Sequence, residues 1–284
     1  REHDSGVWRF REIVSALWDG PVLRNVANGL YFRLRERRNR GEIVEAAQWD
    51  REAVRGAERF VRSAVEDGER FFSMVNLVGA HAPWDFDPDR LAAVGVDPTT
   101  VAPVERWESI AEVSGAMWAH AAGEIEFDAT DREILRHLYD SWIHDVDGLA
   151  GRLLDALQEA NVREETLVIV TADHGEVIDQ DSVHGHSITV AEDVAHVPLS
   201  IDGPGVEGDV VEEPVSLKNV YNTIIARTGV GDEPTLLDSD VWGRGLTEMH
   251  GPNPEEVDDR YREVAAGIGP RRRFETSSGW AERR

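Results

Sequence analysis

The chain has 284 residues, 41% of them hydrophobic, which suffices for one large α/β domain or two small ones and argues against wholesale disorder. With 55 acidic against 30 basic residues the formal net charge is -25, a field that repels nucleic acid and anionic membrane and makes both poor partners. No cysteine is present, so this stretch holds no disulfide, thiolate metal site or cysteine nucleophile, and no run of about 18 apolar residues offers a membrane span.

In chain order, residues 1–70 read as helical. Residues 7–17 form a short amphipathic stretch broken by Asp19-Gly20-Pro21, and 23–38 alternate apolar and Arg positions at helical spacing. The Arg-rich run 33–40 reads as a solvated helix face paired to nearby Glu rather than a nucleic-acid patch. Residues 43–65 follow, with Val44, Ala47, Val54, Ala57, Val61 and Val65 on one face. Residues 71–78 are nearly continuously apolar between Gly68 and Gly79, the pattern of a buried strand in a parallel sheet. Residues 85–103 read as a loop. Residues 131–160 are the longest helical pattern, capped by Thr130 or Asp131 at the start and Asn161 at the end. Residues 167–170 and 197–201 are predicted as two further buried strands, and 217–228 as a helix stopped by Gly229. Strands separated by helices imply a mostly parallel sheet covered on both faces. Beyond Gly231 the chain is polar and weakly periodic, and is expected to be a peripheral tail without chemistry.

Two surface features complete this reading. Lys218 is the only lysine, and an acidic, lysine-poor surface fits a halophilic protein, since screening at high salt removes self-repulsion. The alternative is an ordinary acidic protein from a GC-rich genome. Residue 1 is Arg, and no charged-then-apolar leader follows it. The expectation is therefore a cytoplasmic protein without a signal peptide, with the missing Met suggesting a trimmed or fragmentary chain.

Ligands of open α/β sheets collect beyond the carboxyl ends of the strands. Two predicted strands end there in unusual residues: the first leads to His81, the second to Asp173-His174-Gly175-Glu176. An Asp next to a His on a turn offers an oxygen and a nitrogen to one cation, which suits Zn²⁺, Mn²⁺ or Fe, or Mg²⁺ or Ca²⁺ if oxygens dominate. The plain alternative is a turn with a capping Asp. Thirteen residues past Asp173 lies His186, in Val183-His184-Gly185-His186-Ser187. Two histidines flanking a glycine fit a mobile loop returning to the same rim, where an imidazole donates to an anionic oxygen or protonates a leaving group. Solvent-exposed loop histidines are the competing reading, most of all for His184.

Taken together, Thr171-Ala172-Asp173-His174-Gly175-Glu176, His186 and Val197-Pro198-Leu199 resemble the second half of the sulfatases, of the alkaline phosphatase superfamily. Asn76-Leu77-Val78-Gly79-Ala80-His81-Ala82-Pro83-Trp84 resembles the family's strand ending in His-x-Pro-Tyr, with Trp84 in place of tyrosine. The helix with Tyr139, Ile143, Asp145, Asp147 and Leu153-Leu154, and the segment Ser216 to Thr223, are similar to the family's corresponding elements. The resemblance implies an α/β, alkaline-phosphatase-like sandwich with a central, mostly parallel sheet, here incomplete because the N-terminal half with the nucleophile is absent. It divides the chain into a helical connecting region (1–70), the C-terminal portion of a sulfatase-like α/β domain (71–230) and the polar tail (231–284).

By the same resemblance, Asp173 and His174 are metal ligands, and His81 and His186 contact the sulfate or phosphate oxygens as the ester bond breaks. The implied cofactor is a divalent metal ion (Ca, Mg, Mn or Zn, calcium being the most usual in sulfatases). The implied substrate is a small-molecule or glycan sulfate ester, with the oligomeric state left open. No Cys/Ser-x-Pro-x-Arg nucleophile motif occurs in the sequence. Two further readings stay open: a phosphodiesterase or phosphoryl or phosphoethanolamine transferase of the same superfamily, and a non-catalytic domain that retains the fold.

Overall fold

The structure, a computed structural model, describes residues 46–82, 84–101, 113–180, 183–229, 231, 233–249, 251–252, 257, 259–276 and 279–283. The helices expected over 7–17 and 23–38, and the arginine run 33–40, lie outside the described residues. The chain divides into two compact units, one of Arg1–Val78 with Leu149–Ala156 and one of Gly79–Gly148 with Leu157–Arg284.

In the first unit, helix α1 (Ala46–Glu66) buries Asp50, Val54, Ala57, Val61 and Ala64, a stripe at the three- and four-residue spacing of one helix face. Arg152 donates to Glu58 at 2.6 Å, and Phe71 meets Phe60 edge-on at 6.2 Å. The strand expected over 71–78 does not form: the segment has no regular secondary structure and joins no ladder among the described residues. Phe72, Met74 and Val78 are exposed, and the Val78 amide donates to the Asp50 carboxylate at 2.8 Å rather than to a neighbouring strand. An apolar run becomes a strand only where another edge accepts its amides, and no described segment offers one.

The second unit carries the rest. Aspartates organise the segment that reads as a loop: Asp87 caps helix α2 (Pro88–Ala93) and Asp97 caps a 3-10 turn at Pro98–Thr100, each accepting backbone amides. Arg90, ion-paired with Asp85, lies over the Trp142 ring at 3.9 Å. Helix α3 (Val113–Ala121) precedes α4 (Ala129–Glu159). The start of α4 is two to three residues earlier than a cap at Thr130 or Asp131 predicts. Asp128 accepts from the Asp131 amide while Asp131 accepts from the Asp128 amide, a reciprocal capping pair. At its other end Asn161 takes a left-handed backbone (φ 57), and the Asn161 and Val162 amides close on Gln158 and Leu157.

The strands differ from the expected central parallel sheet. Strand β1 (Val168–Thr171) pairs antiparallel with β4 (Leu199–Asp202), in register Ile169↔Ile201. Between them lie a hairpin of β2 (Val177–Gln180) and β3 (Val183–Gly185) and the one-turn helix α5 (Glu192–Ala195). That connection is too slight to be a crossover helix, so the chain turns back and β4 runs against β1. Nor is β1 buried on both faces: Val170 is exposed. Gly203 ends β4 at φ 141, and a Cβ there would lie 2.6 Å from the Thr166 carbonyl oxygen. Helix α6 (Lys218–Arg227) ends as expected before Gly229.

The segment 231–284 has more structure than its weak periodicity suggests. Strands β5 (Arg244–Met249), β6 (Arg271–Thr276) and β7 (Gly279–Arg283) form an antiparallel sheet, with helix α7 (Arg262–Gly267) between the first two. Tyr261 and Ala265 are buried against Met117, Trp118, Ala119 and Ile188, and the Tyr261 hydroxyl donates to Glu124 at 3.0 Å. Within the described residues, no helix is long and apolar enough to cross a membrane.

Candidate functional site

The loop after β1 is held by hydrogen bonds to backbone carbonyls at both ends. Thr171 donates its hydroxyl to the Pro198 carbonyl at 2.8 Å, and the Gly175 amide donates to the Val194 carbonyl at 2.9 Å. At Gly175 the two segments approach so closely that a Cβ would sit 2.0 Å from the Asp193 carbonyl oxygen. Only glycine lets the loop lie there. The result presents His174 outward and turns Glu176 into the interior, where its side chain is 3% exposed.

His81 sits on the turn before the segment 84–87. Trp84, buried, donates from its indole nitrogen to the Ala80 carbonyl at 3.0 Å and so closes that turn, with its ring 5.0 Å from Tyr139. His186 follows β3 directly and donates from Nδ1 to Glu176 Oε1 at 2.6 Å. The three imidazoles converge: one ring nitrogen from each of His81, His174 and His186 lies within 4.8 Å of the others. His174 and His186 stack at 3.8 Å, and His81 stands 5.0 Å from His186. His81 lies 93 and 105 positions before His174 and His186, so distant parts of the chain contribute to one cluster.

Asp173 stands apart from that cluster. Its side chain is 86% exposed, its Oδ1 accepts from the His174 amide, and the same oxygen lies 3.9 Å from His174 Nε2. A carboxylate oxygen and an imidazole nitrogen at that separation can share one cation after a small side-chain rotation.

His184 is not a solvent-exposed loop residue. It is 3% exposed, on β3, with its ring 5.2 Å from Phe127 and 6.4 Å from Trp84. Alternation along a strand explains the difference between the two histidines, because residues two apart share a face only while the strand continues, and β3 ends at Gly185. The expected mobile loop is a short hairpin.

Glu176 is the residue that the sequence reading passed over. Its Oε2 is buried without a hydrogen-bond partner among the described residues. Burying a carboxylate with one oxygen unsatisfied is unfavourable unless its charge is used. Burial pushes the Tyr139 hydroxyl above its usual value of 10.0, and the charges of Glu176 and then Asp140 push it further. A tyrosine whose folded pKa is raised supports the fold fully below pH 10 and loses that support as pH rises through the folded value. Alkaline unfolding followed by circular dichroism should therefore fall less steeply above pH 10 in Tyr139→Phe than in the parent.

The sulfatase family model matches residues 14–230. Arylsulfatase K of Danio rerio is 35% identical over 104 residues, covering 36% of this chain and 20% of that protein. Arylsulfatase K of Gallus gallus is 29% identical over 147 residues, covering 45% of this chain and 27% of that protein. The matched stretch therefore spans between a fifth and about a quarter of the length of these relatives. Among solved structures, a Bacteroides fragilis protein described as a sulfatase aligns with a TM-score of 0.48 and 17% identity, over 80% of this chain and 47% of its own. A phosphonate monoester hydrolase from Silicibacter pomeroyi aligns with a TM-score of 0.47 and 24% identity, over 72% of this chain and 42% of its own. With the family match taking in well over half of its residues, the chain belongs to the sulfatase family.

Proposed function

We propose that the chain carries the metal- and oxyanion-binding portion of a metal-dependent sulfuric ester hydrolase, acting on a small-molecule or glycan sulfate ester. The observation that supports it best is the convergence of His81, His174 and His186 within 4.8 Å in a member of this family. Asp173 and His174, with donor atoms 3.9 Å apart, are the residues suited to hold a divalent ion. Such an ion, when bound, would polarise the S–O oxygens of the ester.

The remaining work falls to this chain's own side chains. The Nδ1 atoms of His81 and His186 are occupied by the Ala82 carbonyl and by Glu176, so each ring turns its other nitrogen towards the shared space. Protonated on both nitrogens, each ring would donate from Nε2 to an ester oxygen and stabilise the charge that grows as the S–O bond breaks. Glu176, accepting from Nδ1, holds the His186 ring in the orientation that turns Nε2 outward. The family's attacking group, an oxidised Cys or Ser in Cys/Ser-x-Pro-x-Arg, has no counterpart in the sequence, and this reading assigns it to polypeptide beyond these 284 residues.

The test is turnover of an aryl sulfate by the protein expressed from the whole reading frame, before and after chelation, with an aryl phosphate as the comparison. Aryl sulfate hydrolysis that chelation abolishes and added metal restores is the expected result. Hydrolysis of the phosphate alone would move the protein to the phosphoryl-transfer branches. In the same protein, loaded with Ca²⁺ and stripped of transition metals, Asp173→Asn should lower bound calcium by elemental analysis; an undiminished content would remove Asp173 as a ligand.

A further inference from the structure

The acceptors around the three histidines fix their tautomers in one sense. His81 Nδ1 faces the Ala82 carbonyl oxygen at 2.5 Å, His174 Nδ1 the Gly175 carbonyl oxygen at 3.0 Å, and His186 Nδ1 the Glu176 carboxylate at 2.6 Å. An oxygen acceptor requires N–H on the nitrogen that faces it, so Nδ1 carries the proton in each neutral ring and Nε2 carries the lone pair. Three outward lone pairs, each backed by an oxygen acceptor behind the ring, are the arrangement that metal-binding histidines use. The buried Glu176 adds a negative charge whose second oxygen has no partner among the described residues, and a cation beside His186 would offset it.

We propose that His81, His174 and His186 together form a binding site for a borderline transition-metal ion of the Zn²⁺ class, backed by Glu176 and independent of Asp173. Three imidazole nitrogens suit Zn²⁺, Co²⁺ or Ni²⁺ and do not suit Ca²⁺, which takes oxygen ligands. Zn–N bonds of about 2.0–2.1 Å place neighbouring ligand nitrogens roughly 3.3 Å apart. The cluster therefore contracts on binding, and the His174–His186 stack, now 3.8 Å between centroids with 24° between planes, opens as the two rings turn towards the ion. Both rings are partly exposed and His81 is exposed, so the rotation meets little packing.

This site has a regulatory consequence, which rests on the sulfatase reading although the binding itself does not. A lone pair given to a metal cannot belong to a ring that offers N–H to an ester oxygen. An ion held by all three imidazoles occupies the space that the ester needs, so Zn²⁺ excludes the substrate and inhibits.

Titrating the 284-residue chain with Co²⁺, followed by its visible d–d bands, and with Zn²⁺ by calorimetry tests the site directly. One ion per chain, not displaced by millimolar Ca²⁺, is the expected result. His81→Ala, His174→Ala and His186→Ala should each weaken binding by at least about 100-fold, and Glu176→Gln by about 10–100-fold as an outer-shell partner. Asp173→Ala should leave the affinity within about threefold. Circular dichroism checks that each variant folds, and His81→Gln supplies a second variant at the most exposed position. Binding that survives His81→Ala and His81→Gln but fails in Asp173→Ala would overturn the proposal in favour of the Asp173-His174 pair. Binding indifferent to all three histidines would mark an adventitious surface ion and overturn it equally. In the whole protein, Zn²⁺ should raise the KM for an aryl sulfate in the parent. Absence of any aryl sulfate turnover would defeat the sulfatase reading and leave the Co²⁺ result standing.

Discussion

His186→Ala should lower kcat for an aryl sulfate by about 10²–10³-fold in the protein expressed from the whole reading frame, the loss typical of one oxyanion donor. The thermal midpoint should fall by only the few degrees that an unpaired buried carboxylate costs. His186 is partly exposed, and its one strong contact is the 2.6 Å hydrogen bond to Glu176, so removing the ring opens no cavity in the core. What it removes is the ring whose doubly protonated form would donate to an ester oxygen beside His81 and His174. Stopped assays of initial rate against substrate concentration separate the two effects: a transition-state donor lowers kcat and kcat/KM together, whereas a residue that only helps substrate bind raises KM alone. Loss of the ring also leaves Glu176 buried with neither oxygen bonded, so His186→Gln, which keeps a donor for the carboxylate, should restore folding stability without restoring the rate. A rate unchanged in His186→Ala would remove the residue from the centre.

Gly175→Ala is expected to have the largest effect on the fold. The added Cβ would sit 2.0 Å from the Asp193 carbonyl oxygen and 3.1 Å from its carbon, both backbone atoms that cannot swing aside. The loop and the α5 segment would have to separate by more than 1 Å, breaking the 2.9 Å bond from the Gly175 amide to the Val194 carbonyl. Overpacking against rigid backbone costs about 3 kcal/mol or more. That corresponds to a fall in Tm of roughly 6–12 °C for a protein of this size. Because His174 and Glu176 flank the glycine, the same displacement should disperse the histidine cluster, and ester hydrolysis should fail below the new Tm as well as above it. A Gly175→Ala protein with parental Tm and activity would show that the close approach to Asp193 is not needed.

These two cases also show what the sequence could and could not reveal. The short string Asp173-His174-Gly175-Glu176, placed after an apolar tetrad, locates the loop and singles out His174. The spacing to His186 and the turn at His81 then follow from family likeness, and all three imidazoles do meet. Helices α1 and α4 were legible because one-faced apolar spacing is a local property: Val54, Ala57 and Val61, and Ile134, Leu138, Trp142 and Leu149, are buried as the period requires.

Strand pairing is not local. The run 71–78 has the composition of a buried strand, yet strand formation depends on a second edge that composition cannot specify. The antiparallel β1–β4 ladder was likewise hidden, since strand direction depends on how the intervening chain returns. The sheet after Gly231 escaped for a different reason. Its cross-strand neighbours include Glu248 with Arg272, bonded at 2.8 Å, so a charge pair stands where an alternating apolar signal would be sought. Glu176 and His184 were misjudged because burial of a polar side chain leaves no periodic mark. A carboxylate that follows the ligand loop and opens a strand is the one available cue, and it points to a partner for a neighbouring ring.

If His81 and His186 act as one centre, a double-mutant cycle in kcat/KM for an aryl sulfate reveals it most directly. Donors that hold the same group are strongly non-additive, so the His81→Ala/His186→Ala protein should lose little more than the worse of the two single variants. A double variant whose loss equals the product of the single losses would mean that the two residues act separately, contradicting a shared centre.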